Sequence, residues 1–187
     1  MKPDIIMPPQ LAWATGALAG GTLVRKTTSM EQLVDVFADR EAWLLHEPTC
    51  GVYDVAMIAS APEEGALYVG VTHLRAGRVG REFFMTRGHF HQRREQGEVY
   101  FGLCGSGLLL LQTEQGDARL ERVAPGSVHI IPPFTAHRLI NTADETLSSL
   151  AVWPSVAGHD YAALANGFAL RVFAADDDAQ GYEVCYG

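Results

Sequence analysis

Residues 88–102 read GHFHQRREQGEVYFG: two histidines lie two positions apart, and a glutamate follows seven positions after the second. Side chains alternate between the two faces of a β-strand, so His89 and His91 are predicted to point to the same side. On one continuous strand Glu98 would face the opposite side, but the residues QRREQG indicate a turn, in which Gly97 can adopt a positive φ. A hairpin here would let Glu98 face the histidines from the neighbouring strand.

A fourth candidate ligand, His137, begins a predicted strand after the Pro-Pro turn of PGSVHIIPPFTAHRL. Three imidazoles and one carboxylate suit a divalent transition metal: Fe²⁺, Mn²⁺, Ni²⁺, Zn²⁺ or Co²⁺, with Fe, Zn or Mn favoured. One or two coordination positions stay open for substrate, as a catalytic site requires. An H-x-H pair alone arises by chance in roughly one such chain in four. The prediction of one ion per chain therefore depends on the complete set.

Short segments rich in β-branched and aromatic residues follow one another from about residue 50. Turn sequences such as PEEG, RREQG and TEQGD separate them at about 8–12 residues, which is typical of an all-β sandwich or barrel. Thr28 and Glu31 have capping-box spacing and precede apolar residues at helical spacing, so we expect a short helix ending near Asp39. Further along, HDYAALANG predicts one helical turn and FALRVFA a last strand. We expect a single domain, with an N-terminal extension (1–49) packed on a barrel (50–187).

Composition narrows the possible partners. The chain has 187 residues, 48% of them hydrophobic, and a formal net charge of −8. It contains no Lys/Arg run of the kind that binds nucleic acid, and no apolar stretch of the roughly 18 residues that a membrane span needs. Three widely spaced cysteines without a C-x-x-C motif favour reduced thiols. We expect a cytoplasmic protein with neither a nucleic-acid nor a membrane partner.

The motifs resemble those of a known family. Residues 86–105 resemble the first cupin motif, with Phe83 at the place of its usual leading glycine, and residues 125–141 resemble the second. The finer sequences TRGHFH, GEVYFGLCGSGLLLLQ and AVWPSVAGHDY resemble the cupin-type phosphoglucose isomerases, an archaeal class that also occurs in some bacteria. The similarity covers about residues 50–172. It implies a cupin β-barrel, or jelly roll, that interconverts glucose 6-phosphate and fructose 6-phosphate.

The resemblance also implies roles for individual residues. The implied metal ligands are His89, His91, Glu98 and His137. The implied phosphate- and sugar-binding residues are Tyr53, Thr72, Thr86, Gly88, His159 and Tyr161. Tyr100 shares the face of Glu98 by strand alternation and is expected to touch substrate. Trp153 stands where the family often has a tyrosine, which removes a hydroxyl from the sugar pocket. Gln96 and Ala76 are further departures.

Two chemical routes are open for such a site, a cis-enediol pathway and a direct hydride shift, each with the ion polarising O1 and O2. Glu98 is the candidate base as well as a ligand, and Tyr161 and His159 are candidates for moving a proton at O5 during ring opening.

Two other functions are possible alternatives to an isomerase. The competitors are a dioxygenase-like cupin, because such a site also supports O₂ chemistry, and a non-catalytic cupin that binds sugar phosphate. The expected oligomer is a homodimer formed through sheets or swapped N-terminal strands.

Arg93, Arg94 and Arg138 flank the ligands and are interpreted as loop arginines without an assigned role. Three histidines are interpreted as structural: His46, His73 and His129.

Overall fold

The computed structural model describes residues 3–175 and 180–187, and most of its regular structure is antiparallel β-strand. The strands are β1 Gln10–Ala12, β2 Ala17–Ala19, β3 Leu23–Ser29, β4 Gly51–Ile58, β5 Leu67–Leu74, β6 Arg78–Val79, β7 Glu82–Phe83, β8 Glu98–Cys104, β9 Gly107–Thr113, β10 Ala118–Val123, β11 Val128–Ile131, β12 Thr135–Ile140, β13 Leu147–Pro154, β14 Leu170–Ala174 and β15 Tyr182–Tyr186. The helical elements are α1 Arg40–Leu44 and the 3-10 turns Met30–Leu33 and Ala162–Leu164. The all-β prediction is confirmed.

Three sheets account for most of the strands. The largest has the order β11-β8-β13-β5-β4-β3, a second has the order β10-β9-β12, and a third has the order β15-β14-β7-β6. Strand β3, from the segment assigned to the N-terminal extension, pairs with β4 along its whole length. This pairing brings residues from before position 30 to the same sheet as the predicted site. The division at residue 50 stays a prediction.

One hydrophobic cluster joins the three sheets. Its centre is β9, whose four consecutive leucines, residues 108–111, are all at least 96% buried. Because β9 lies between β10 and β12 and is covered on both faces, it has a continuous apolar run instead of an alternating pattern. Each leucine buried in this way contributes about 1.5–3 kcal/mol. The same cluster includes Leu139 and Ile140 of β12, next to the candidate ligand His137.

The helix predicted to end near Asp39 is wrong in position. Thr28 remains in β3, where it pairs with Tyr53. The following 3-10 turn is capped by Ser29, whose N–H donates to Oε1 of Gln32 at 2.9 Å. Asp39 begins helix α1 instead of ending one, because its Oδ1 accepts from a backbone N–H of that helix. Aspartate is a preferred N-cap residue for this reason, and the apolar spacing alone did not reveal the break.

The predictions for the segment after β13 are confirmed only in part. The 3-10 turn at Ala162–Leu164 confirms the predicted helical turn. FALRVFA contains β14, but it is not the last strand, because β15 follows it and pairs with it.

Gly97 does not adopt a positive φ. A Cβ there would lie 3.1 Å from the Ile131 carbonyl oxygen, so the close approach of β11 favours glycine. The cysteines are free thiols, as predicted. Within the described residues, no helix is long and apolar enough to cross a membrane.

Candidate metal centre and pocket

The four predicted ligands lie together. His89, His91, Glu98 and His137 each offer one ligand atom, and these atoms lie within 4.8 Å of one another. Oε2 of Glu98 is 3.1 Å from Nε2 of His91 and 3.1 Å from Nε2 of His137. A single ion with bonds of about 2 Å can reach atoms at these separations. Glu98 does face the histidines from the start of β8, but the expected hairpin is wrong, because β8 pairs with β11 and β13 whereas His89 bridges to His137 of β12.

Backbone pairing sets the positions of the ligands. His89 and His137 form an antiparallel bridge, with N···O distances of 3.3 Å and 3.1 Å. Nδ1 of His91 lies 2.9 Å from the Gln96 carbonyl oxygen, so this nitrogen carries the proton and Nε2 faces Glu98. An oriented imidazole of this kind is the usual arrangement behind a metal ligand.

Unpartnered nitrogens show that the cluster fits a cation. Nε2 of His89 and both ring nitrogens of His137 are buried without a hydrogen-bond partner. Although Nε2 of His137 lies 3.1 Å from Glu98, the two groups are not aligned for a hydrogen bond. Buried polar atoms in folded proteins nearly always have partners, and an ion among these nitrogens would supply one. The donor set and its geometry therefore fit a divalent transition metal.

The protonation states also suit a metal. Burial, reinforced by the neighbouring imidazoles, lowers the pKa of His89 well below its usual value. Burial acts on His91 in the same direction, but hydrogen bonds with Glu98 and a backbone carbonyl outweigh it, so the pKa of His91 is raised. Burial raises the pKa of Glu98, but the neighbouring histidines outweigh it and lower the pKa overall. Glu98 is thus an ionised carboxylate, the form that binds a cation.

The cluster opens into a pocket of about 290 Å³. His89, Glu98 and His137 line it, while His91 lies behind them. Every residue that the sequence analysis assigned to substrate also lines this pocket: Tyr53, Thr72, Thr86, Gly88, Tyr100, Trp153, His159 and Tyr161. The residues that the resemblance and strand alternation assigned to substrate therefore lie together at one pocket.

Gly88 has a different structural role from the expected one. Its φ is +73°, and a Cβ would lie 2.6 Å from the ring of Phe168, which is buried in the core. The resemblance implied a phosphate- or sugar-binding role for this glycine. The structure shows that backbone conformation and contact with Phe168 also require it. The neighbouring Thr86 anchors this segment to β12, because its Oγ1 accepts from the Leu139 N–H at 3.0 Å.

Two aromatic residues cover the cluster from the segment after β13. The His159 and Tyr161 rings are stacked, with 5.8 Å between centroids and 6° between planes, and the His159 ring is 4.3 Å from that of His89. Burial lowers the pKa of His159, an effect that Glu98 opposes only in part. Burial raises the pKa of Tyr161, and that of Tyr100 is raised well above its usual value for the same reason. At neutral pH the imidazole is uncharged and both phenols remain hydrogen-bond donors.

The sequence analysis missed two cations in the pocket wall. Arg87 lies between Thr86 and Gly88, and its Cζ is 5.0 Å from the centre of the Tyr161 ring. Its place inside the TRGHFH motif could have identified it. Lys26 belongs to β3 and reaches the pocket only because β3 pairs with β4. No local pattern marks that residue. Other lining residues that were not predicted are Val24, Thr28, Val55, Met57, Gly70 and Ala151.

The flanking arginines and remaining histidines differ in environment. Arg93 is exposed, as expected of a loop arginine. Arg138 is buried, which lowers its pKa to about 9, and it donates to the Arg87 carbonyl at 2.5 Å. Arg94 is only 22% exposed and pairs with Asp160. Arg138 and Arg94 are therefore more buried than the interpretation as loop arginines without a role suggested. His129 is buried between Glu121 and Ser127, consistent with a structural role.

The set of three histidines and one glutamate, at a pocket that two cations also line, defines a candidate metal-dependent enzyme of the all-β class. Residues 24–184 match the glucose-6-phosphate isomerase (GPI) family, and the chain belongs to this family.

Individual relatives agree with this assignment. A glucose-6-phosphate isomerase of Thermococcus litoralis is 43% identical over 150 residues, which are 78% of this chain and 79% of the relative. That of Pyrococcus horikoshii is 42% identical over 154 residues, or 81% and 80% of the two chains. A bacterial relative, from Sinorhizobium medicae, is 32% identical over 93% of this chain and 82% of its own. Among solved structures, oxalate decarboxylase of Lactobacillus farciminis aligns with 55% of this chain and 29% of its own, at TM-score 0.45 and 21% identity.

Proposed function

We propose that this protein is a metal-dependent aldose–ketose isomerase that interconverts glucose 6-phosphate and fructose 6-phosphate. The observation that carries the proposal is the convergence of four ligand atoms within 4.8 Å at the base of a pocket. The relatives named glucose-6-phosphate isomerase, at about 40% identity, support the choice of reaction. These relatives favour the isomerase over the two alternatives, a dioxygenase-like cupin and a binding cupin without turnover.

One divalent ion would be held by the three histidines and Glu98, and Fe, Zn or Mn suits this donor set. When bound, such an ion supplies Lewis-acid polarisation of the substrate oxygens. The protein's own contribution is to hold the sugar against the cluster and to keep the His89 imidazole neutral. The lowered pKa of His89 serves that second purpose, since protons compete with metals for imidazole nitrogens.

Glu98 is the proposed base. Its carboxylate is ionised, lines the pocket and directs Oε2 towards two imidazoles, which leaves Oε1 to exchange a proton with C1 and C2 of the sugar. His159 and Tyr161 are proposed to move a proton at O5 during ring opening. The neutral imidazole can accept that proton and the protonated phenol can donate one. A direct hydride shift would need the same positions but no base at Glu98.

The phosphate is proposed to bind in the same pocket as the cluster. The hydroxyls of Thr72 and Thr86 provide hydrogen bonds, and the segment at Gly88 provides backbone contact. Lys26 and Arg87 add two positive charges in a chain whose net charge is −8. Charge-assisted hydrogen bonds to phosphate are among the stronger polar contacts in proteins. Tyr53, Tyr100 and Trp153 are proposed to enclose the sugar.

We also infer that the protein works in the cytoplasm as a homodimer. Large apolar side chains are almost fully exposed at the N-terminus, including Ile5 at 97% and Ile6 at 85%. Exposed apolar clusters of this kind favour contact with a second chain. Sedimentation analysis of the full chain tests the proposal, and a monomer at micromolar concentration would contradict it.

A coupled assay tests the proposed reaction. Purified protein is given fructose 6-phosphate, and formation of glucose 6-phosphate is followed before chelation, after chelation and after each candidate ion is restored. We expect activity that chelation abolishes and one or more ions recover. The His137→Ala variant should lose both metal and activity. Oxygen uptake with another substrate would favour the dioxygenase alternative, and sugar-phosphate binding without turnover would favour the binding module.

A further inference from the structure

Arg94 joins segments that are distant in sequence. Its guanidinium lies 2.6 Å from Oδ2 of Asp160 and 3.0 Å from Oε1 of Glu114, and it also donates to the His91 carbonyl. The side chain is only 22% exposed, and its Cζ lies 4.7 Å from the centre of the Phe90 ring. One planar group therefore contacts the segment of the metal ligands and the segment that follows β13. Arginine suits this position because its donors form a fixed fork.

Asp160 stands between the two residues that cover the metal cluster, His159 and Tyr161. Its backbone forms a two-way bridge with Phe90, with N···O distances of 2.8 Å and 3.3 Å. Its second carboxylate oxygen accepts from the Ala163 N–H at 3.1 Å and so anchors the following 3-10 turn. Fixing Asp160 therefore fixes the two stacked rings on either side of it.

The backbone of Arg94 reaches a third segment. Its carbonyl accepts from the Phe134 N–H at 2.6 Å, three residues before the ligand His137. Phe134 has φ +59°, and it is the one described residue other than glycine with a positive φ. Such a conformation persists only where the surroundings hold it. Arg94 thus contacts the segments carrying His91, His137 and the stacked pair.

We propose that Arg94, through Asp160, is a positioning residue that holds His159 and Tyr161 over the metal-ligand histidines. The proposal rests on the proposed isomerase function and adds to it a residue that touches neither substrate nor metal. Its loss should leave the four ligands in place while letting the stacked pair move. A displacement of about 1 Å can lower turnover by about 100-fold.

The matched control is the neighbouring Arg93. It also pairs with two carboxylates, those of Glu64 and Glu95, but it is exposed and contacts neither the ligands nor Asp160. The variants are Arg94→Met, Arg94→Lys, Asp160→Asn, the Arg94→Met/Asp160→Asn double variant and Arg93→Met. Arg94→Lys keeps the charge and the aliphatic stem, and it is used if Arg94→Met folds poorly.

Two readouts separate positioning from general stability. The first is the proton NMR shift of the His159 ring in metal-free protein, which reports stacking on Tyr161 through the ring current. We expect it to change in Arg94→Met and Asp160→Asn and to match the parent protein in Arg93→Met. The second is steady-state kinetics of metal-loaded protein: kcat should fall by about 10- to 100-fold in both variants, with metal content unchanged. The double variant should lose little more than either single variant.

Unchanged His159 shifts in folded Arg94→Met or in Asp160→Asn would overturn the proposal. So would a lowered melting temperature with normal kcat, since that is the result expected of a structural ion pair. If the parent protein does not isomerise fructose 6-phosphate, the proposed function fails, and the NMR comparison still decides whether Arg94 positions the pair.

Discussion

Replacement of Gly88 by alanine tests how the site segment is built. The added Cβ would lie 2.6 Å and 2.9 Å from two carbons of the Phe168 ring and 3.1 Å from Cβ of Arg138. Real Cβ atoms do not approach other atoms within 3.0 Å, so the ring or the backbone must shift. Both neighbours are buried, which limits the room for that shift.

The expected loss of stability has two parts. A non-glycine residue at φ +73° costs about 1–2 kcal/mol because its Cβ crowds the adjacent carbonyl. Forcing an extra carbon against a packed ring costs about 1–3 kcal/mol more. We therefore expect Gly88→Ala to lower the free energy of unfolding by about 2–5 kcal/mol. Activity should also fall, because His89 is the next residue.

Gly116 offers a matched control. Its φ is +90°, and no atom lies within 4 Å of the Cβ position, so Gly116→Ala isolates the backbone cost of about 1–2 kcal/mol. Urea unfolding of both variants, with chelator present so that metal binding does not add to stability, measures the difference. Phe168→Leu should relieve part of the crowding, so the double variant should be less destabilised than the sum of its parts.

Equal losses in Gly88→Ala and Gly116→Ala, within about 0.5 kcal/mol, would refute the claim that Phe168 requires a glycine at position 88. A strictly additive double variant would refute it independently. Either outcome would remove contact with Phe168 as a reason for glycine and leave the backbone conformation.

Three further predictions concern the metal, a buried ion pair and pH. Chelation should lower the melting temperature of the parent protein, because bound metal stabilises only the folded state, whereas His137→Ala should show little further change on chelation. Glu82 is 1% exposed and pairs with Arg171 at 2.6 Å, so Glu82→Gln should lower the free energy of unfolding in urea by about 3 kcal/mol. Glu183 pairs with Arg81 at the surface, so Glu183→Gln should lower it by less than about 1 kcal/mol. Equal losses in the two variants would contradict the burial argument. Burial raises the pKa of Glu121, but hydrogen bonds from His129 and Arg119 outweigh it and lower the pKa overall. The carboxylate therefore stabilises the fold above its unfolded pKa of about 4.3, and this contribution is lost as pH falls through the lowered value. The stability difference between the parent and Glu121→Gln should shrink on acidification below about pH 4, and a constant difference would contradict the assignment.

Local patterns were enough for the strand class and the ligand set. The two-residue spacing of His89 and His91 predicts a shared face, and both rings do lie in the cluster, although the structure has isolated bridges there instead of a continuous strand. The helix near residue 40 was misplaced because apolar spacing continued across a break. Only the hydrogen bond from the Ala42 N–H to the Asp39 side chain shows that a new helix begins there.

By itself the sequence determined the all-β class and the four residues of the candidate metal cluster, because strand periodicity and short motifs mark them, whereas most of the predicted pocket residues came from the family resemblance. Only the tertiary structure decided that Lys26 enters the pocket, that Arg94 meets Asp160, 66 positions away, and that Gly88 packs against Phe168. The physical reason is that strand order is a long-range property. A strand's alternation shows which face is buried, whereas the choice of neighbouring strand depends on how the whole chain packs its core.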